Sequence, residues 1–124
     1  MALSERLLSV LGNDWKMTPI QRASFKSIHK GKSCLLVSQT GSGKTEAALL
    51  PLIERRLDRG WGATSVLYIS PLRALNRDLG ERLGTICEGL GLRSDVRHGD
   101  TIQSRRQRQT KNPPDILVLS LIHI

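Results

Sequence analysis

The stretch Ser38-Gln39-Thr40-Gly41-Ser42-Gly43-Lys44-Thr45 constrains this chain more than any other. It follows a short apolar run, Ser33 to Val37, that is bounded by turn formers and reads as a buried strand, and it opens a helical pattern at Lys44. A glycine-bearing loop in that position curls its backbone so that successive N–H groups point inward at an anion. The N-terminus of the following helix adds the positive end of its dipole. Gln39, Thr40, Gly41, Ser42 and Gly43 would form the cradle, and Lys44 would set a point charge beside the β- and γ-phosphates. The Thr45 hydroxyl would ligate magnesium, so Lys44 and Thr45 are the candidate catalytic pair and ATP with Mg2+ the expected cofactors. The general pattern begins with glycine where this chain has Ser38, but Gly41 and Gly43 keep the turn flexible. An ordinary glycine turn would not require lysine and threonine together at these offsets.

Around this loop the chain alternates between helical and extended patterns. Leu3, Leu7, Leu8 and Leu11 recur at helical spacing and predict a short helix over 3–11, ended by Gly12-Asn13-Asp14. Thr18 as N-cap and Pro19 at the first helical position predict a second helix reaching His29, stopped by Gly31. From Lys44 to Arg59, Leu49, Ile53 and Leu57 share one face, while Pro51 removes a backbone donor and predicts a kink. Val66 to Ile69 reads as a second buried strand. The best periodic signal follows it, with Leu72, Leu75, Leu79, Leu83 and Ile86 on one stripe. A strand at Ser94 to Arg97, a basic polar segment from Thr101 to Lys111 and a strand from Asp115 to Leu119 complete the order. The alternation implies an α/β fold whose parallel sheet has both faces covered.

With 124 residues there is room for one domain, or for part of one if the sheet is large. A hydrophobic share of 39% with 24% charged residues excludes disordered, collagen-like and membrane classes, and 3% aromatics leave an aliphatic core. Lysine and arginine outnumber aspartate and glutamate by 19 to 11, and the resulting charge of +8 attracts phosphate-bearing partners. A merely soluble basic surface would have the same balance. Cys34 and Cys87 fit no metal or redox spacing and are expected to be buried free thiols in a reducing compartment, which points to the cytoplasm. No apolar run is long enough to cross a bilayer.

Three further segments carry a family resemblance. Thr18-Pro19-Ile20-Gln21, upstream of the loop, resembles the adenine-reading glutamine motif of superfamily-two helicases. A side-chain amide both donates and accepts, which suits the adenine edge and makes Gln21 the natural reader. Ser70-Pro71-Leu72-Arg73-Ala74-Leu75-Asn76-Arg77-Asp78 resembles the strand-end motif by which these helicases grip the nucleic-acid backbone, with Pro71, Arg73 and Asn76 as the candidate contacts. The leucines of that segment read as core. Arg97-His98-Gly99-Asp100-Thr101, the arginine-rich stretch after it and Asn112 to Val118 are similar to the large helicase-related (Lhr-like) family of DNA helicases. That likeness adds Gly99, Asp100, Thr101 and Arg105 to the nucleic-acid contacts. For any single arginine there, a solvated charge is an equally good account.

The resemblance runs from Thr18 to Val118 and implies a P-loop NTPase (RecA-like) parallel sheet with flanking helices. Residues 1–118 would form part of a first motor domain that couples ATP hydrolysis to translocation and unwinding from a 3′ single-stranded end. DNA is the favoured partner and RNA the alternative. Members of the family continue through Thr-Pro-Glu after the last strand, whereas this chain reads Leu119-Ser120-Leu121-Ile122-His123-Ile124. Those residues are what the adapter sequence CTG-TCT-CTT-ATA-CAC-ATC encodes, so 119–124 is read as a non-native tail, and His123 has no ligand role. Different codons in an uninterrupted natural frame would refute that reading. The Asp-Glu pair that orients the attacking water would lie beyond it, so residues 1–124 alone are expected to lack ATPase activity. Two other classes share parts of this pattern. A P-loop kinase or transporter ATPase would use Lys44 and Thr45 without binding a polynucleotide, and a non-enzymatic basic module would bind nucleic acid with the glycine loop idle.

Overall fold

The computed structural model describes residues 3–12, 14–39, 41–70, 73–97 and 103–120, with the side chains of 73–78 and 120 outside the description. The described elements are α1 (Glu5–Leu11), α2 (Pro19–His29), α3 (Lys44–Arg59), β1 (Val66–Ser70), α4 (Arg73–Leu90), β2 (Ser94–Arg97), α5 (Gln103–Lys111) and β3 (Ile116–Ser120). They fall into two compact units, Met1–Gly60 and Trp61–Ile124.

The first unit is a helical cluster. Ser4 caps α1 by accepting the Leu7 N–H at 3.3 Å, and its own N–H donates to Glu54 Oε1 of α3 at 2.5 Å. That bond gives the buried Glu54 carboxylate a partner and ties the first helix to the third. α2 and α3 pack face to face through Phe25, Ile28, Leu50 and Ile53, all buried. Each such side chain contributes roughly 1.5–3 kcal/mol by leaving water. Pro51 is buried inside a continuous α3, where the chain tolerates the missing donor. The expected strand at Ser33 to Val37 is not one. Among the described residues nothing pairs with this segment, and Leu35 and Val37 are 88% and 79% exposed. An apolar run reports a tendency to be buried, but a strand exists only through the ladder of a neighbour. Cys34, in the same segment, is exposed rather than buried, whereas Cys87 is buried as expected.

The second unit is α/β, a three-stranded parallel sheet of order β1-β3-β2 with flanking helices. The start of all three strands converges on Asp115. Its carbonyl accepts the N–H groups of Ser65 and Val66 at 2.9 and 3.1 Å, and its carboxylate accepts the Arg93 N–H at 2.9 Å. With the starts aligned, Ser70 lies opposite Ser120 and Arg97 opposite Leu119, so the C-terminal ends of β1 and β2 emerge at one edge. β3 runs through Leu119 and Ser120, the first residues of the segment set apart as a tail, because backbone pairing does not depend on side-chain identity.

α4 covers one face of this sheet. Its buried stripe is Leu79, Leu83, Cys87 and Leu90, which departs from the expected one because Ile86 is only half-buried. Burial raises the Cys87 thiol from 9.0 to about 11, with a hydrogen bond to Ser94 opposing the shift and the charge of Asp115 adding to it. On the other face of β1 the side chains are more open. Leu67 and Ile69, which alternate with the buried Val66 and Ser70, are 54% and 49% exposed. The segment after β2 also differs, since α5 forms where only polar chain was expected. Helical periodicity of apolar residues is absent there because α5 buries one residue, and that residue is Gln109.

α4 approaches the sheet closely at Gly80. A Cβ there would stand 2.6 Å from Val96 Cγ2. Gly80→Ala should therefore destabilise the second unit by about 1–3 kcal/mol. Val96→Ala in the same chain should recover part of that loss, read as a less-than-additive double-mutant cycle in urea unfolding. Additive losses would show that the helix does not depend on this approach.

Candidate functional site

The glycine loop is built by two left-handed residues. Gly41 and Gly43 have φ of +82° and +87°, a region that costs any residue with a Cβ. Gly43 is also the N-cap of α3 and offers no side chain to its first turn, so the donors there remain directed at whatever occupies the loop. Lys44 folds back across the loop and donates from Nζ to the Ser38 carbonyl at 2.7 Å, leaving two of its three donors for a ligand. Ser38 and Ser42 join their hydroxyls at 2.5 Å and close the loop from one side. Serine at the first position of the pattern thus serves as a tie. Thr45, half-buried, sits in the first turn of α3.

Gln21 is placed against this loop and is 5% exposed. Its Oε1 accepts the Thr18 N–H at 2.9 Å, one half of a capping box, and its Nε2 donates to the Gly43 carbonyl at 3.1 Å. One amide hydrogen and one lone pair remain for an adenine edge. The amide expected to read a base is therefore also a strut between the start of α2 and the loop. Thr18 Oγ1 is buried at the same helix start, on the other side of the capping box. A cleft of about 630 Å3 opens beside it, lined by Thr18, Pro19, Ile20, Ser38, Gln39, Gly41 and Ser42. Left-handed glycines, a helix start with no side-chain cap and a lysine ammonium fit a nucleotide's phosphates. Thr40 lies outside the described residues.

The candidate nucleic-acid contacts belong to the second unit. Pro71, Gly99, Asp100 and Thr101 lie outside the described residues. Arg73 and Asn76 are in the first turn of α4, with side chains outside the description. Their backbone placement is informative, because the segments carrying them leave β1 and β2 at the same C-terminal edge, where open α/β sheets bind ligands. Arg105 is described, and Asp95 holds it. Nε donates to Asp95 Oδ1 at 3.0 Å, and Nη2 makes a shorter bond to the same oxygen. Sequence reasoning missed Asp95, for which the only signal was an acid within a strand preceding an arginine-rich segment. It also missed Gln109, whose Nε2 donates to the Val96 carbonyl at 3.1 Å. Burial pushes the Asp95 carboxyl up, but hydrogen bonds from Arg105, Gln109 and the Val96 N–H together hold it below its ordinary value of 3.8. Among the described residues no cluster of acids, histidines or cysteines could by itself hold a metal, and no helix is long and apolar enough to cross a membrane.

Comparison with known proteins agrees with this geometry. The pattern of the DEAD/DEAH box helicase family matches residues 18–121. The ATP-dependent helicase Lhr-Core of Methanocaldococcus jannaschii is 39% identical, over 82% of this chain and 14% of its own length. The structure of Mycobacterium smegmatis helicase Lhr bound to ssDNA and AMP-PNP superposes with a TM-score of 0.82 at 33% identity, covering 95% of this chain and 17% of that one. The RNA-helicase Prp28 from Chaetomium thermophilum bound to ADP gives a TM-score of 0.79 at 28% identity, covering 95% of this chain and 30% of that one. The chain thus spans about one seventh of the length of Lhr-Core and 17% of the mycobacterial chain.

Two outcomes follow from the site geometry. Gly43→Ala sets a Cβ 2.5 Å from Gln21 Nε2 on a left-handed backbone, and should weaken binding of a fluorescent ATP analogue at least tenfold, about 1.4 kcal/mol; unchanged affinity would refute the cradle. Asp95→Asn should lower stability by about 1 kcal/mol at neutral pH, a figure reduced for the half-exposed Arg105. Because the Asp95 pKa is depressed in the folded state, its contribution is present above the ordinary carboxylate value and is lost as pH falls through the folded one. Melting curves of parent and variant should therefore converge in acid, and a constant gap would contradict the assignment.

Proposed function

The chain belongs to the DEAD/DEAH box helicase family, and on that premise we propose that it is the nucleotide-holding part of an ATP-dependent motor that translocates on and unwinds nucleic acid, DNA in preference to RNA. The observation that carries this reading is the loop at the head of α3, where left-handed Gly41 and Gly43, the uncapped first turn and Lys44 converge. Lys44 would neutralise charge on the β- and γ-phosphates, and the Thr45 hydroxyl would help to hold Mg2+, which offsets phosphate charge when bound. Gln21 contributes its remaining donor and acceptor to adenine. Pro71, Arg73 and Asn76 after β1, with Gly99, Asp100 and Thr101 after β2, hold the polynucleotide backbone at one edge of the sheet, which fixes position without reading sequence.

Support for DNA comes from the helicase Lhr structure, whose bound strand is ssDNA. The similarity to an RNA helicase makes the preference a matter for measurement. The kinase or transporter reading is not favoured, since the family match extends well beyond the phosphate loop.

ATP hydrolysis by the full-length protein, measured with single-stranded DNA and RNA of matched sequence, tests the proposal. Turnover should depend on the polynucleotide and rise further with DNA, and Lys44→Ala should cut kcat by about 100-fold or more while leaving strand binding in place. Equal stimulation by RNA would remove the DNA preference. Hydrolysis indifferent to any polynucleotide would remove the motor.

A further inference from the structure

Helix α5 has the sequence QSRRQRQTK, with four cations and no acid, and it buries only Gln109. Its arginines do not share one environment. Arg105 is turned onto Asp95 of β2. Gln103, Arg106, Gln107 and Thr110 recur at i, i+3, i+4 and i+7 and therefore form one stripe along the helix. With Arg97 at the end of β2 and Lys111 at the end of α5, that stripe lines a cleft of about 370 Å3. Arg108 is exposed and is not among the lining residues.

The described lining residues combine three cations with two amides and a hydroxyl, and among them there is no carboxylate. Three cations with no described carboxylate among them are complementary in charge to a polyanion, which is the occupant we take the cleft to fit. The stripe from Gln103 to Thr110 is about 10 Å long at 1.5 Å per residue, enough to follow successive phosphates along a strand. Arg97 begins the cleft at the same sheet edge from which both strand-end segments depart. We propose that this cleft is a phosphodiester track that extends the nucleic-acid path beyond the strand-end motifs, with Arg97, Arg106 and Lys111 as its phosphate contacts. In this arrangement Arg105 is a positioning residue that fixes α5 on β2, and Arg108 takes no part. The inference rests on the motor reading above and adds a surface to it.

The test uses the full-length protein and oligo-dT of fixed length, with binding followed across a salt series. Each lost phosphate contact lowers the slope of log K against log salt by about 0.7 on a single strand, so Arg106→Ala with Lys111→Ala should lower it by about 1.4. Arg108→Ala, which removes the same charge from another face of the same helix, should leave the slope unchanged. The charge-conserving pair Arg106→Lys with Lys111→Arg should keep the parent slope, and ATP-analogue affinity should be the same in all variants, which excludes misfolding. Equal decreases for Arg108→Ala and either groove substitution would show a diffuse charge run and overturn the track. An unaltered slope in the double variant would also overturn it while leaving the motor intact. Failure of the parent protein to bind the strand at all would remove both readings.

Discussion

At the N-terminal edge of the sheet, Asp115 gathers the beginnings of three strands. One carbonyl and one carboxylate oxygen accept backbone N–H groups from the segments leading into β1 and β2, and β3 starts at the next residue. Parallel strands do not share a hairpin that would set their register, so some other contact must do it. Here it is a single residue preceded by two prolines, Pro113 and Pro114, whose restricted backbone presents carbonyls to Arg93 and Thr64. Once the starts are level, so are the ends, and the segments following β1 and β2 leave from the same edge.

The glycine loop is held by a different device. Gly43 has no Cβ because the Gln21 amide occupies that space, and its carbonyl is the acceptor of that amide. The same side chain accepts the Thr18 N–H and so completes the start of α2. Loop shape, helix start and the adjoining cleft are therefore coupled through one buried amide. Such a group is costly to remove because its loss leaves two backbone partners unsatisfied at once. Lys44, by contrast, is held by a single carbonyl and can exchange it for a phosphate oxygen.

Charge on α5 shows how geometry sorts residues that composition treats alike. Arg105 and Arg106 are neighbours, yet one donates to Asp95 and the other lines a cleft. A difference of one residue is a rotation of about 100° around a helix, which is enough to send consecutive side chains to different faces. The depressed carboxyl of Asp95 belongs to the same arrangement, since three hydrogen bonds to the charged form outweigh its desolvation.

From the residues themselves came the phosphate loop, the bounds of α2 and α3, the positions of β1, β2 and β3 and the α/β class, because glycine, proline, capping residues and apolar period act locally. The pairing of β3 between β1 and β2, the exposure of Leu35, Val37, Leu67 and Ile69, the shift of the α4 stripe to Cys87 and the existence of α5 came only from the tertiary structure. Strand pairing and burial depend on which neighbours arrive, and no local pattern encodes them. For the same reason Gln21 was legible as a candidate amide but not as the strut of Gly43, and Arg105 as a cation but not as the partner of Asp95.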